Sequence, residues 1–327
     1  MLAVFPDLES ANPGGVQVSA QLAWKMLQRE TEARSLIVRN RFDGITAARS
    51  ARFRPDLLLF WHIDLLRLAP VMRTRARRVL FLHGIESWRP HRWLMRRLLK
   101  QSQLIANSHY TVQRATPFIA SAADASTQVV HLGFGTPRAT AQPHPTVRAA
   151  LMIGRMDAGE GYKGHHEVIR AWPNVLQQIP GAQLWIAGDG SLRPELEALS
   201  DQLGLGNAVH FHGRVTEIEK EALLDAARCL VLPSRAEGFG LVYIEAMRAG
   251  RPCLVGVDAG REVVNPPEAG CSVDPADAHA LVHSICSLLS DDAQWHQQSR
   301  AARERYETQF TAAHFQRRLF EALKRIQ

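Results

Sequence analysis

Two glutamates eight residues apart, Glu237 and Glu245, frame the stretch "RAEGFGLVYIEAMRAG" at 235–250. Glu237 stands before a glycine-rich turn, whereas Glu245 falls among Val242, Tyr243, Ile244, Ala246 and Met247. An unpaired buried carboxylate is costly, so Glu245 requires a compensating partner. An arginine such as Arg248 or Arg261 would serve, and so would the paired hydroxyls of a ribose. Glu237 has a similar choice between capping the helix that follows and accepting from ligand hydroxyls. The amides of Gly238, Phe239, Gly240 and Leu241 open that helix, and a helix N-terminus favours an anion or an electron-rich oxygen.

Two cations extend the pattern. "IGRM" ends an apolar run with Arg155, and "GYKGHHEVIRAW" sets Lys163 just before a helix. A guanidinium fork and an ammonium arriving from adjacent turns suit a diphosphate. The competing reading is a pair of solvated loop cations. Near the start, "NPGGVQVSAQLAWKML" places Gly14 and Gly15 before a helix, which lets backbone amides approach a phosphate or sugar. A plain turn with one glycine at positive φ explains the same residues equally well.

These groups must be positioned by a scaffold, and the chain alternates short apolar runs with helical patterns, as a parallel α/β sheet does. Buried strands are expected at 55–61, 78–84, 103–108 and 128–134, then at 150–156, 182–190, 208–213, 228–234, 251–256 and 270–275. Helices are expected at 217–227 and 241–249. "GTPRATAQPHPTVRA" breaks the rhythm as a linker near 136–147. The expected division is therefore an N-terminal Rossmann-like domain over 1–143, a C-terminal one over 144–310, and a C-terminal helix over 311–327 expected to cross back and pack on the N-terminal domain. Ligands of such sheets bind at the carboxyl ends of the strands.

The 327 residues are 46% hydrophobic, ample for two cores. No apolar run reaches the roughly 18 residues of a spanning helix, and no basic leader precedes an apolar segment, so a cytoplasmic chain is expected. Cys229, Cys253, Cys271 and Cys286 form no C-x-x-C pair and read as reduced thiols. The net charge of +7 is uneven: residues 1–145 hold 20 Lys and Arg against 9 Asp and Glu, a balance of +11. The first half therefore suits an anionic partner. Within it "WRPHRWLMRRLLK" at 88–100, near "RTRARR" at 73–78, interleaves Arg92, Arg96, Arg97 and Lys100 with Trp93, Leu94, Leu98 and Leu99. That is either a basic amphipathic helix for an anionic lipid surface or an ordinary helix packing its leucines on the sheet.

The segment "SRAEGFGLVYIEAMRAGRPCL" resembles the E-x7-E signature of the retaining nucleotide-sugar glycosyltransferases of family 4, at Glu237 and Glu245. Further segments resemble that family in its order: "NPGGVQ", "FLHGIE", "ANSHYT", "VVHLGF", "IGRM", "YKGHHEVIRAW", "IAGDG" and "FHGRV". The resemblance implies a GT-B architecture, with two Rossmann-like domains facing across a cleft. The donor, a nucleotide-diphosphate sugar with UDP or GDP as its nucleotide, would lie mainly on the second domain. The acceptor, a glycan or a lipid-linked molecule, would lie on the first.

By the same resemblance Arg155 and Lys163 would neutralise the departing diphosphate, Glu245 would hold ribose hydroxyls and Glu237 the transferred sugar. Gly14, Gly15, Gly188 and Val215, with Gly238 to Leu241, would complete the donor site, and His83 would approach the sugar from the other domain. No D-x-D is present, so neither metal nor other cofactor is expected. The segment "VDAGREVVNPPEAG" departs from the family in lacking its Gly-Gly-x-x-E run. Two other functions compete. A nucleotide-sugar epimerase of the same architecture would need carboxylates such as Glu86 and Asp64. A basic nucleic-acid-binding protein would use the +11 half, yet no recognised binding motif is present, so no nucleic-acid partner is expected. His165 and His166 read as caps or solvated groups, and His210 with His212 as ordinary strand histidines.

Overall fold

The structure, a computed structural model, describes residues 1–9, 14–40, 44–45, 55–72, 74–119, 127–140 and 144–326. Asn12 and Pro13 of the double-glycine turn, Arg73 of the basic run and 141–143 of the linker lie outside the described residues. The chain divides into two compact units, Met1–Phe134 with Ala312–Gln327, and Gly135–Thr311.

The first unit is built on a six-stranded parallel sheet with the order β2-β1-β3-β4-β5-β6. Its strands are β1 (Leu2–Pro6), β2 (Arg34–Val38), β3 (Leu57–Phe60), β4 (Arg77–Leu82), β5 (Gln103–Ala106) and β6 (Gln128–Val129). The leucine-rich runs announced β3 to β6, since a parallel strand buried on both faces reads as continuous apolar sequence. β1 and β2 were not anticipated: β1 is a continuous apolar run that was passed over, and β2 is an edge strand with Arg34 and Ile37 exposed. The helix Ala312–Ile326 belongs to this unit: Arg77 Nη1 donates to the Ile326 carbonyl at 2.6 Å, and Gln128 Nε2 to that of Ala322 at 3.3 Å. Phe315 is fully buried there, its ring 6.4 Å from that of Trp61.

The second unit holds another parallel sheet, ordered β12-β11-β10-β7-β8-β9. Its strands are β7 (Ala149–Ile153), β8 (Gln183–Ala187), β9 (Val209–Gly213), β10 (Cys229–Leu232), β11 (Cys253–Val255) and β12 (Gly270–Ser272). The chain winds outward through β8 and β9, returns to place β10 beside β7, and continues through β11 and β12. The winding therefore reverses between β7 and β10, and that is where an open α/β sheet leaves a crevice for ligand.

The tail is not one helix. Asp292–Arg305 runs into a wider turn at Tyr306–Phe310, and Thr311 is extended with φ −69° and ψ 162°, which stops the helical run. Trp295, Tyr306 and Phe310 are buried in the second unit. All four cysteines are free thiols.

Candidate active site

Arg155 follows β7 and Glu237 follows β10, so the two arrive from the strands on either side of the reversal. Backbone bonds hold the adjoining loops in register: the Arg235 amide donates to the Tyr162 carbonyl at 3.0 Å, and the Met156 amide to that of Asp189 at 2.9 Å.

Lys163 closes a 3₁₀ segment, Ala158–Lys163, and is only 9% exposed. Its stem lies across Gly154, where a Cβ would stand 3.3 Å from both Lys163 Cδ and Nζ. Gly154 is thus the space through which the ammonium reaches the strand end. Lys163 is not a solvated loop group, whereas Arg155 stays exposed, its side chain 58% accessible; both engage Glu160. Arg155 Nη2 donates to Glu160 Oε1, and Lys163 Nζ donates to Oε2 at 3.1 Å. The sequence reading passed over Glu160, although its spacing of three from Lys163 on a helical segment is the signal for such a pair.

Glu237 is half-buried. Burial, the largest influence, raises its carboxyl to about 7; Lys163 and Arg155 oppose the rise, while Asp258 and Glu160 add to it. Asp258 is a second residue the sequence reading missed. It is 3% exposed, and its Oδ2 accepts from the Glu237 amide at 2.7 Å while Oδ1 accepts from the Gly260 amide at 2.9 Å. Asp258 therefore fixes the backbone that carries Glu237. The signal was the Asp-x-Gly that follows β11, a side chain able to bond the amide two residues on.

The helix Leu241–Arg248 begins at Gly240, whose φ of 83° lies in the left-handed region; a Cβ there would meet the Tyr243 ring at 2.3 Å. The N-cap is Gly240, which has no side chain to cap with. A helix N-terminus favours an anion or an electron-rich oxygen. Tyr243 secures the helix to β10 by donating its hydroxyl to the Leu232 carbonyl at 2.9 Å.

Glu245 has a protein partner, and it is neither Arg248 nor Arg261. Lys220 Nζ meets Glu245 Oε1 at 3.1 Å, with the two side chains 15% and 14% exposed. Arg248 instead pairs with Glu221 at 2.8 Å, and Arg261 Nε donates to the Ser272 hydroxyl at 2.7 Å. Burial raises the Glu245 carboxyl and Lys220 offsets part of that rise. Lys220 comes from the preceding helix, Glu217–Ala226, 25 residues away, so no local spacing revealed it.

Gly188 follows β8 with φ 141°, and a Cβ there would lie 1.9 Å from the Gly154 carbonyl oxygen. This glycine permits the close approach of two strand ends. Val215 is half-buried after β9, just before the helix cap Thr216. His165 is buried and pushed down to about 4 by that burial, and His166 bonds Glu195 at 2.8 Å.

In the first unit the sheet reverses between β1 and β3, and the helix Gly15–Glu30 starts after β1. Gly14 caps it with φ −78°, so the positive-φ explanation fails there. His83, at the end of β4, is 8% exposed and is lowered to about 4, chiefly by burial. Its Nε2 lies 2.6 Å from the Trp61 carbonyl, which only accepts, so Nε2 carries the proton and the ring is neutral at pH 7. Glu86 is occupied by the His83 and Gly84 amides at 2.7 and 3.0 Å. Asp64 pairs with Arg67 at 3.2 Å. Neither carboxylate is arranged as the acid or base that an epimerase needs.

Residues 148–291 match the family described as "Glycosyl transferases group 1". The chain is 30% identical over 233 residues to a glycogen synthase of Mycobacterium tuberculosis, covering 70% of this chain and 53% of that protein. It is 33% identical over 147 residues to a phosphatidyl-myo-inositol mannosyltransferase of Mycobacterium leprae, covering 44% and 38%. The chain thus spans about half or less of the length of these relatives.

Among solved structures, sucrose-phosphate synthase of Thermosynechococcus elongatus is similar with a TM-score of 0.81 at 18% identity, covering 100% of this chain and 99% of that one. HepE of Anabaena in complex with UDP and glucose is similar with a TM-score of 0.77 at 20% identity, covering 98% and 99%. The two parallel six-stranded α/β sheets are those of the GT-B glycosyltransferase fold, and residues 148–291, which hold Arg155, Lys163, Glu237 and Glu245, match the glycosyl transferases group 1 family.

Proposed function

We propose that this protein is a retaining glycosyltransferase that moves a hexose from a nucleotide-diphosphate sugar to a glycan or lipid-linked acceptor in cell-surface or exopolysaccharide assembly. One observation carries the reading: Glu237, Arg155 and Lys163 converge at the reversal point of the second sheet, beside the start of the helix Leu241–Arg248. UDP and GDP are the nucleotides of choice. UDP accompanies the related fold of HepE, and a relative is named a mannosyltransferase using GDP-mannose.

In this reading Arg155 and Lys163 receive the diphosphate, and the amides of Gly238 to Leu241 face its developing charge. They take the place of a bridging metal, and no cofactor is required. Glu237 holds hydroxyls of the transferred sugar. Glu245, with Oε1 kept by Lys220, offers Oε2 to the ribose. The ends of β8 and β9 at Gly188 and Val215 border the base. The acceptor attacks from the face that the diphosphate leaves, through an oxocarbenium-like state. A phosphate oxygen takes the acceptor proton.

The first unit is assigned to the acceptor, while Gly14 and Gly15 keep their donor-binding role and His83 its role toward the transferred sugar. Neutral His83 presents an unprotonated Nδ1 and a largely apolar ring wall rather than a charge. A peripheral membrane site on the cytoplasmic face follows from the helix Trp93–Lys100. Met95, Leu98 and Leu99 bury against the unit, which satisfies the ordinary packing reading for those leucines. Trp93 and Leu94 nevertheless stay 73% and 41% exposed beside Arg92, Arg96, Arg97 and Lys100. Such a face suits anionic lipid. No helix among the described residues is long and apolar enough to cross a membrane.

Thermal shift against UDP-, GDP- and ADP-sugars tests the donor assignment, since a ligand of the native state raises its melting temperature. A stabilising nucleotide sugar that loses its effect in Arg155→Ala and Lys163→Ala is expected. A flat panel with the folded wild-type protein refutes the donor site.

A further inference from the structure

Glu160 stands where two oxygens bridge the two cations of the site. Its Oε1 accepts from Arg155 and its Oε2 from Lys163 at 3.1 Å, and the carboxylate side chain is 11% exposed. This two-oxygen, two-cation arrangement is the one a diphosphate would make with the same donors. We infer that Glu160 is an internal counter-anion that occupies Arg155 and Lys163 while the donor site is empty and is displaced from them by an entering diphosphate. The inference rests on the assignment of Arg155 and Lys163 to the diphosphate.

Charge makes the displacement necessary. Glu160, Glu237 and Asp258 all act on one another's surroundings here, against Arg155 and Lys163. With Glu237 protonated, as its raised carboxyl favours below about pH 7, Glu160 and Asp258 balance Arg155 and Lys163 and leave no net charge to attract a further anion. Withdrawal of Glu160 leaves a balance of +1 and frees the donors a diphosphate needs.

The local backbone allows the movement. Glu160 departs from its 3₁₀ segment with φ −117° and ψ 16°. Gly159 and Gly161 flank it, and a Cβ built on either meets nothing within 4 Å. The carboxylate is therefore carried on a short glycine-bordered turn with open space around it, whereas Lys163 is fixed across Gly154. A turn of this kind can swing out without unpacking a strand or a helix.

The consequence for turnover is a limit on product affinity. A nucleoside diphosphate held by two unopposed cations would leave slowly, and product release often sets kcat. The returning Glu160 carboxylate competes for the same hydrogen bonds and promotes that release. Glu160 thus sets how tightly the diphosphate is held, without contacting the transferred sugar.

Isothermal titration of inorganic pyrophosphate and UDP into wild type, Glu160→Gln, Glu160→Asp, Arg155→Ala and Lys163→Ala tests this. Glu160→Gln is expected to bind pyrophosphate about tenfold more tightly, as when one competing charge-assisted pair is removed. Glu160→Asp, still charged but too short to bridge both cations, should fall between it and wild type. Each variant is melted first, and if Glu160→Gln does not fold, the aspartate comparison decides. Unchanged or weaker pyrophosphate binding in the glutamate variants, with binding lost in Arg155→Ala and Lys163→Ala, overturns the displacement role alone. Unchanged binding in the two cation variants overturns the diphosphate assignment and the inference with it.

Discussion

Glu237→Gln should stabilise the protein, and only above acidic pH. The native carboxyl is raised from 4.5 to about 7, with burial as the largest cause. Between those values the folded chain holds a proton that the unfolded chain has lost, so unfolding releases it and stability falls as pH rises. Each pH unit of that gap is worth about 1.36 kcal/mol, giving an upper bound of about 3 kcal/mol. Solvent around a half-buried group reduces this to about 2 kcal/mol. For a chain of this size that is a rise of roughly 3 °C in melting temperature.

Glutamine copies the protonated carboxyl, so the gain should be near zero at pH 4.5, grow through pH 6 and level off above pH 7. Differential scanning calorimetry of both proteins from pH 4.5 to 8 reads it directly. Such a gain on removing a site residue is the signature of a group kept against folding stability for function. A variant less stable than wild type at pH 8, or a difference that ignores pH, would refute the assignment of burial as the dominant influence on Glu237.

Other substitutions probe the supports of the site. Lys220→Met leaves Glu245 buried without its cation and should cost about 2–3 kcal/mol by denaturant titration, with Lys220→Met/Glu245→Gln recovering most of it. Gly240→Ala forces a Cβ into the Tyr243 ring at a positive φ and should cost at least about 2 kcal/mol in the same assay. Gly154→Ala pushes on the Lys163 stem; it should leave the melting temperature within a few degrees while weakening UDP binding about tenfold by titration. Trp93→Ala with Arg96→Glu should abolish sedimentation with vesicles containing anionic phospholipid and leave stability unchanged, because both side chains are exposed.

The sequence by itself determined the strands that bury both faces and the residues that carry charge to their ends. The strands expected from the sequence contain or overlap β3 to β12, most of them apolar runs of the kind a parallel strand buried on both faces requires. The glycines at 188 and 240 were visible because glycine alone tolerates those backbone angles and approaches. β1, itself a continuous apolar run, was passed over, and β2 escaped because an edge strand with Arg34 and Ile37 exposed lacks continuous apolar sequence.

Tertiary structure decided the pairings. Sequence required a partner for Glu245 and named nearby arginines, but the helix Glu217–Ala226 brings Lys220 from 25 residues away. Asp258 reaches the Glu237 amide 21 residues earlier because β10 and β11 are neighbours in the sheet. Whether a charge is paired depends on which elements the winding sets side by side. A local reading counts the charges, and only the folded sheet order says which of them meet.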